Sequence, residues 1–345
     1  MPGTMTERLY SPRILSLITT FRCPARCNHC SFSCSPEERV EMELEKIGTL
    51  IAQCQDFNKI TLSGGEAFLN VPLIAGIISQ ASQQGNFKIR GVVTNCFWAS
   101  SETKAGEVLE SLSGAGLNLI GISCDAFHQA YIPLAQVINA IKAALSLRIT
   151  VQVNVISPHD LFQSAALPEV VLALMKAVGE GRPTREYDLA YAQGYKGRDK
   201  GITIFHGEVT PAGRASGLPA EYMGSYDLTG DWKDACILQK KGATISQEGQ
   251  VLTVLPDYRA FPCCSLYARE GHLSLGNIAE EPLSALVEKA QSDPFLKAVA
   301  QIGILGLKEI IEKHFPRYRG KRYGSACHFC HTISLDKELE GLFSP

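Results

Sequence analysis

Six short apolar runs punctuate the first two-thirds of this chain, and an amphipathic stretch follows nearly every one. The runs are 13–20, 59–62, 87–94, 117–124, 149–156 and 201–205. Branched and aromatic residues bounded by turn residues read as strands. Apolar residues spaced by three and four read as one face of a helix. The second pattern covers 41–55 (Leu44, Ile47, Leu50, Ile51), 72–84, 101–114, 132–147 and 165–178. Pro72 stands near the first turn of its helix, where a missing N–H costs nothing. Strand and helix in strict alternation predict βα units on a parallel sheet. Polar and glycine residues gather where the strands end, as in Ser63-Gly64-Gly65-Glu66, Thr94-Asn95-Cys96 and Ser123-Cys124-Asp125. Parallel α/β folds place their sites there.

Beyond this region the pattern loosens. Residues 206–235 are dense in Pro, Gly, Ser and Tyr and read as a bridge. A strand follows at 250–254, a turn and second strand at 256–264, Leu275-Gly276-Asn277-Ile278, and a helix over 282–291. The expected division is therefore 1–210, a bridge over 211–235, and a smaller α+β unit over 236–345.

Composition excludes some function classes. The chain has 345 residues, a net charge of −2 and 45% hydrophobic residues, enough for a large buried core. The balanced charge leaves no footprint for nucleic acid, and no apolar run reaches the roughly 18 residues of a membrane span. The first eight residues lack the apolar core of a signal peptide. The expectation is a cytoplasmic protein without nucleic-acid or membrane partners. Its twelve cysteines are then better explained as metal ligands or working thiols than as disulfides.

Chemistry concentrates in Cys23-Pro24-Ala25-Arg26-Cys27-Asn28-His29-Cys30, directly after the first strand. Cys-x-x-Cys alone also occurs in zinc sites, but a zinc knuckle wants a second close pair, and only Cys34 and Cys54 follow. Thiolates are the standard iron–sulfur ligands, and three on one loop leave one iron of a four-iron cube open. The loop resembles the signature of the radical S-adenosylmethionine (SAM) enzymes. That resemblance implies that Cys23, Cys27 and Cys30 hold a [4Fe-4S] cluster. Its open iron chelates SAM and the reduced cluster cleaves it to a 5′-deoxyadenosyl radical. The resemblance also implies a partial (β/α)6 TIM barrel, which suits six strands, and an electron donor such as flavodoxin or ferredoxin. Gly64-Gly65-Glu66 matches the turn that holds the methionine amino group in that family. Thr94 and Asn95 stand where the family often has Thr-Asn-Gly, with Cys96 in place of the glycine. Ser123 and Asn154 are further expected SAM contacts. Each strand-end residue has the plainer reading of a satisfied polar group.

The later cysteines are Cys236, Cys263, Cys264, Cys327 and Cys330. Their order resembles the SPASM/twitch extension of radical SAM enzymes, a C-terminal cysteine-rich α+β domain that binds auxiliary clusters. Five cysteines favour the shorter, one-cluster form, with Cys236, Cys263, Cys327 and Cys330 as ligands of an auxiliary [4Fe-4S] cluster and Cys264 spare. Cys327 to His331 also fits the Cys-x-x-Cys-His haem pattern, which normally accompanies export. A structural zinc site is the other alternative.

The resemblance points to modification of a precursor peptide, with L-to-D epimerisation the sharpest expectation. That reaction needs a thiol to return a hydrogen atom, and Cys264 or Cys236 is the expected donor. Cys96 and Cys124 are further thiols, with buried packing the better reading for Cys124. His128, His206, Glu208 and Arg214 are positional candidates for substrate contact. Thioether or carbon–carbon cross-linking, small-molecule dehydrogenation, and a non-catalytic iron–sulfur or zinc protein are the alternatives.

Overall fold

A computed structural model describes residues 9–164, 167–189, 192–197, 201–232, 235–236, 238, 249–263, 266–271 and 273–343. Alternation holds through the first half: β1 (Pro12–Ile18), α1 (Leu44–Gln53), β2 (Lys59–Ser63), α2 (Val71–Gln84), β3 (Ile89–Thr94), α3 (Glu102–Ala115) and β4 (Leu119–Ser123). After a single turn, α4 (Ala126–Gln129), come α5 (Leu134–Ser146), β5 (Thr150–Ser157), α6 (His159–Gln163) and α7 (Glu169–Ala177). Then follow β6 (Thr184–Leu189), β7 (Ala192–Lys196) and β8 (Ile202–Glu208).

Strands β1 to β5 and β8 lie side by side and parallel. These are the six expected strands, and among the described residues the sheet does not close. One helical layer covers a face. Ile47, Leu50 and Ile51 of α1, Ile74, Ile77 and Ile78 of α2, Leu109 and Leu112 of α3, and Val137 and Ile141 of α5 are all buried there with the strand residues. The spacing read from sequence is the spacing of that apolar face. A second, smaller cluster joins Ile18, Phe21, Ala25, Leu255 and Phe261 to the cysteines of the loop after β1.

Two features depart from the sequence pattern. The stretch before β8 forms the antiparallel hairpin β6–β7, which adds two edge strands. The C-terminal strands β9 (Gln250–Val254), β10 (Arg259–Phe261) and β11 (Gly276–Asn277) do not start a new sheet. β9 pairs in parallel with β1, from Pro12 opposite Gln250 to Leu17 opposite Val254. One sheet of eleven strands therefore runs β11-β10-β9-β1-β2-β3-β4-β5-β8-β7-β6. Side chains tie the same seam: Tyr10 Oη donates to Val251 O (2.8 Å), Glu43 N to Tyr258 Oη (2.9 Å) and Leu283 N to Gln53 Oε1 (2.8 Å). The helices α8 (Leu283–Ser292), α9 (Pro294–His314) and α10 (Ala326–Ser334) complete the C-terminal part. α9 breaks at Gly303, whose φ of 73° is left-handed, a conformation glycine takes without a Cβ clash.

Candidate functional site

The loop after β1 has no regular structure, so its backbone polar groups need partners from elsewhere. Gly65 N donates to Thr20 O (2.7 Å) and Glu66 N to Arg22 O (2.9 Å). The β2 turn thus lies flat on the approach to Cys23. Only glycine fits: a Cβ would stand 2.4 Å from Thr20 O at Gly64 and 2.2 Å from Arg22 O at Gly65. From the other side, Arg214 N donates to Cys30 O (3.0 Å), and the Arg214 guanidinium donates to Cys27 O and Cys34 O, each at 2.7 Å. Gly213 beside it would place a Cβ 2.1 Å from Ser31 O. Arg269 donates to Phe32 O (2.5 Å) and Tyr131 Oη to Arg26 O (2.9 Å).

This clamped loop walls a cavity of about 270 Å³. Cys23, Cys27 and Cys30 line one side, Gly64, Gly65, Thr94, Asn95 and Ser123 the strand ends, and His29, His128 and Glu208 the remainder. Burial pushes the Cys23 and Cys27 thiols up to about 12, so a metal must displace their protons to bind. A hydrogen bond from Cys34 brings Cys30 down to about 6. Three thiols on one irregular loop, facing one cavity with glycine-thin opposite walls, fit a cluster and a ligand bound against it.

Glu66 does not line the cavity among the described residues. It is 1% exposed. Its Oε1 accepts from Thr94 Oγ1 (2.8 Å) and Phe68 N (3.1 Å), its Oε2 from Asn95 N (2.8 Å). Burial lifts its carboxyl to about 7 against those hydrogen bonds. Its side chain therefore joins the ends of β2 and β3. Thr94 Oγ1 also accepts from Cys96 N and Trp98 Nε1, each at 2.9 Å. Asn154 does not line the cavity either; its Oδ1 accepts from Gln152 Nε2 (2.7 Å). His206 is fully buried with Nε2 2.9 Å from Ser157 Oγ, away from the cavity wall. Cys96 and Cys124 are both buried, and burial raises both thiols.

Asp125 gathers two imidazoles behind Ser123. Its Oδ2 lies 2.9 Å from His128 Nδ1 and 3.7 Å from His29 Nε2. Burial opposes charge on both Asp125 and His128. Each nonetheless favours the other's charged form, holding Asp125 below and His128 above its ordinary value. Glu208 accepts from Tyr226 Oη and lies 2.7 Å from His159 Nδ1.

Four later cysteines converge as well. Cys327 and Cys330 occupy the start of α10, whose first turn is capped by Ser325 Oγ accepting from His328 N (3.1 Å). Burial, with the thiols of Cys236, Cys263 and Cys327 nearby, pushes Cys330 well above its ordinary value. Cys236, Cys263 and Cys327 thus lie close enough to act on the Cys330 thiol electrostatically, and four thiols is the number that a four-iron cluster takes. Cys264 lies outside the described residues. His331 stacks on Tyr267 with ring centres 4.1 Å apart and pairs with Glu270 at 3.0 Å. Tyr267 Oη reaches Pro211 O (2.8 Å), joining this region to the segment that holds the first loop. Sequence reasoning missed that clamp: Arg214 was read as a positional candidate for substrate contact, and nothing marked Arg269 or Tyr131.

Comparison with known proteins agrees with this geometry. Residues 17–160 match the model of the radical SAM superfamily. YydG of Bacillus subtilis (strain 168), a protein named for peptide biosynthesis, is 26% identical over 159 residues, 43% of this chain. The match spans 49% of that relative's length. In fold the chain is similar to anSMEcpe solved with AdoMet and a Cp18Cys peptide (TM-score 0.51, 14% identity, 88% of this chain and 98% of that one). It is equally similar to a histidine-tagged form of anSMEcpe with AdoMet (TM-score 0.53, 14% identity, 89% and 98%). Such domains use a [4Fe-4S] cluster and SAM. The residues that meet at the cavity lie mostly within residues 17–160, the segment that is similar to the radical SAM superfamily.

Proposed function

We propose that this protein is a peptide maturase that converts an L-residue of a ribosomally made precursor peptide to its D-form. The observation that carries the reading is the likeness to YydG over 159 residues, 43% of the chain. The additional cysteine group fits the same class. When bound, SAM and the reduced cluster supply a carbon-centred radical that removes a hydrogen atom from the substrate. Cys23, Cys27 and Cys30 hold the cluster, and Gly64, Gly65, Thr94 and Ser123 lie where SAM contacts are needed. Glu66 orders the two turns from behind. Asn154, outside the cavity wall, would act only indirectly. Cys236, Cys263, Cys327 and Cys330 hold the auxiliary cluster. Grouping Cys236 with Cys330 favours a ligand role for it and leaves Cys264 as the hydrogen donor. A thiol suits that role because its S–H bond is weak and its proton exchanges with water. The thiyl radical it leaves returns to the thiol by taking one electron from the external reductant and one proton.

The test is turnover of a candidate precursor peptide by anaerobically reconstituted protein in deuterated water with a flavodoxin or chemical reductant. Epimerisation predicts one D-residue carrying one deuterium at Cα, and 5′-deoxyadenosine formed alongside. Cys264→Ala should still form 5′-deoxyadenosine but no D-residue. A product two mass units lighter would replace epimerisation by cross-linking. Absence of 5′-deoxyadenosine would remove the reading altogether.

A further inference from the structure

Asn95, an expected SAM contact, lines the cavity beside Cys23. Its own hydrogen bonds fix how its amide is turned. The backbone N–H of Asn95 is fixed by Glu66 Oε2 at 2.8 Å. Its Oδ1 accepts from Phe97 N at 3.0 Å. An amide has one oxygen and one NH2 group, so this bond decides which end faces which way. The NH2 end is left facing Cys23, with Nδ2 3.6 Å from Cys23 Sγ. The next residue, Cys96, sits at a φ of 70°, left-handed backbone uncommon outside glycine. Its N–H is tied back to Thr94 Oγ1. The turn is over-determined, and Asn95 is 5% exposed.

Among the described residues the other donors to these sulfurs are Ala25 N, 3.5 Å from Cys23 Sγ, Cys34 N, 3.4 Å from Cys30 Sγ, and the Cys34 thiol on Cys30. Asn95 is the side-chain amide contact, the one that substitution can remove without altering the loop. Hydrogen bonds to the sulfurs are among the factors that set an iron–sulfur potential. A buried N–H dipole is little screened. It favours the form with more negative charge on sulfur, which is the reduced cluster.

We propose that Asn95 is a redox-positioning residue: its side-chain amide donates to the Cys23 sulfur and raises the reduction potential of the first cluster. The inference rests on Cys23 being a cluster ligand. Glu66 and Phe97 N hold the amide for this task, so that the β2 turn, the β3 turn and the cluster loop act on one sulfur.

The experiment is redox titration of the reconstituted full chain, following the EPR signal that changes on adding SAM and so belongs to the first cluster. Asn95→Ala and Asn95→Asp are compared with the natural protein after iron and sulfide counting. Asn95→Asp keeps an acceptor for Phe97 N but turns an oxygen toward sulfur. Both variants should hold the natural iron content and titrate at more negative potential. For Asn95→Ala the expected change is about tenfold in the reduced-to-oxidised ratio, ~59 mV for one electron, and for Asn95→Asp more. Fully loaded variants with unchanged potentials overturn the proposal. So does a folded variant that cannot load its first cluster, because Asn95 would then be a structural support. If neither variant folds, natural protein made with asparagine 15N-labelled at the side-chain amide decides by pulsed EPR. Nitrogen coupling to the reduced first cluster supports the hydrogen bond, and its absence overturns it. Cys23→Ser is the separate control. If it keeps four irons and the SAM-responsive signal, the ligand assignment fails rather than the role of the amide.

Discussion

The two cysteine regions are built on opposite plans. In the first, three thiols lie within eight residues, and their loop carries no regular structure of its own. Its shape comes from outside: the Gly64-Gly65 turn beneath it, and Arg214, Arg269 and Tyr131 on its carbonyls. In the second, the thiols come from three separate segments ending in the rigid first turn of α10. A local ligand set closes almost no chain and must be shaped by its surroundings. A dispersed set closes long loops, and metal binding there also folds the chain. The first site should therefore be preorganised and the second made by its metal.

The largest effect that tests this contrast is at α10. Cys327→Ala with Cys330→Ala should lose about four irons per chain and make residues 249–343 protease-sensitive. SAM-responsive iron at the first loop should remain. Loss of both sets of iron together would erase the contrast. Gly65→Ala should be nearly as damaging, by about 3 kcal/mol, because the added carbon meets Arg22 O and the loop must lift. Thermal melting of metal-free protein reads the loss, which should exceed that of Gly106→Ala, where nothing lies within 4 Å and φ is not left-handed.

Glu66 gives a pH signature. Its folded-state carboxyl titrates near 7 against an ordinary 4.5. A raised folded value favours the protonated folded form, so its contribution is full below 4.5 and is lost as pH rises through 7. A shift of this size corresponds to about 3 kcal/mol. The melting temperature of metal-free protein should fall across that window, and Glu66→Gln should flatten the slope. Arg214→Lys should cost about 2 kcal/mol, because an ammonium cannot reproduce the two-armed grip on Cys27 O and Cys34 O. Faster amide exchange over residues 27–35 would show it, with α10 unaffected. Smallest is Tyr131→Phe, which removes one exposed bond to Arg26 O and should cost about 0.5–1 kcal/mol, seen in the same exchange experiment.

Much of the parallel sheet was legible because buried strands and one-sided helices leave strong periodic traces. The β6–β7 hairpin was not. Thr184–Leu189 is an edge strand with alternating exposed and half-buried positions, and its Arg, Glu and Asp resemble a loop. The pairing of β9 with β1 was hidden for another reason: nothing local in Gln250-Val251-Leu252-Thr253-Val254 names a partner so far upstream. At the site, residue type identified the thiols and the glycine turn. It could not show that Arg214 serves backbone carbonyls, because any arginine carries the same donors. Nor could it show that Glu66 faces inward, because that depends on what the β3 turn brings beside it.

The β1–β9 pairing has a consequence for how the protein is made. β1 leaves the ribosome long before its partner, and its Pro12–Leu17 edge waits for Gln250–Val254. At 5–20 residues per second, the interval is roughly 10–50 s. Throughout it, the strand that leads into the three-cysteine loop has one unsatisfied side, open to chaperones or to the same edge on a neighbouring nascent chain. The seam closes only when the hairpin bearing Cys263 arrives. Completion of the scaffold beside the three-cysteine loop is thereby timed to synthesis of the later cysteine region.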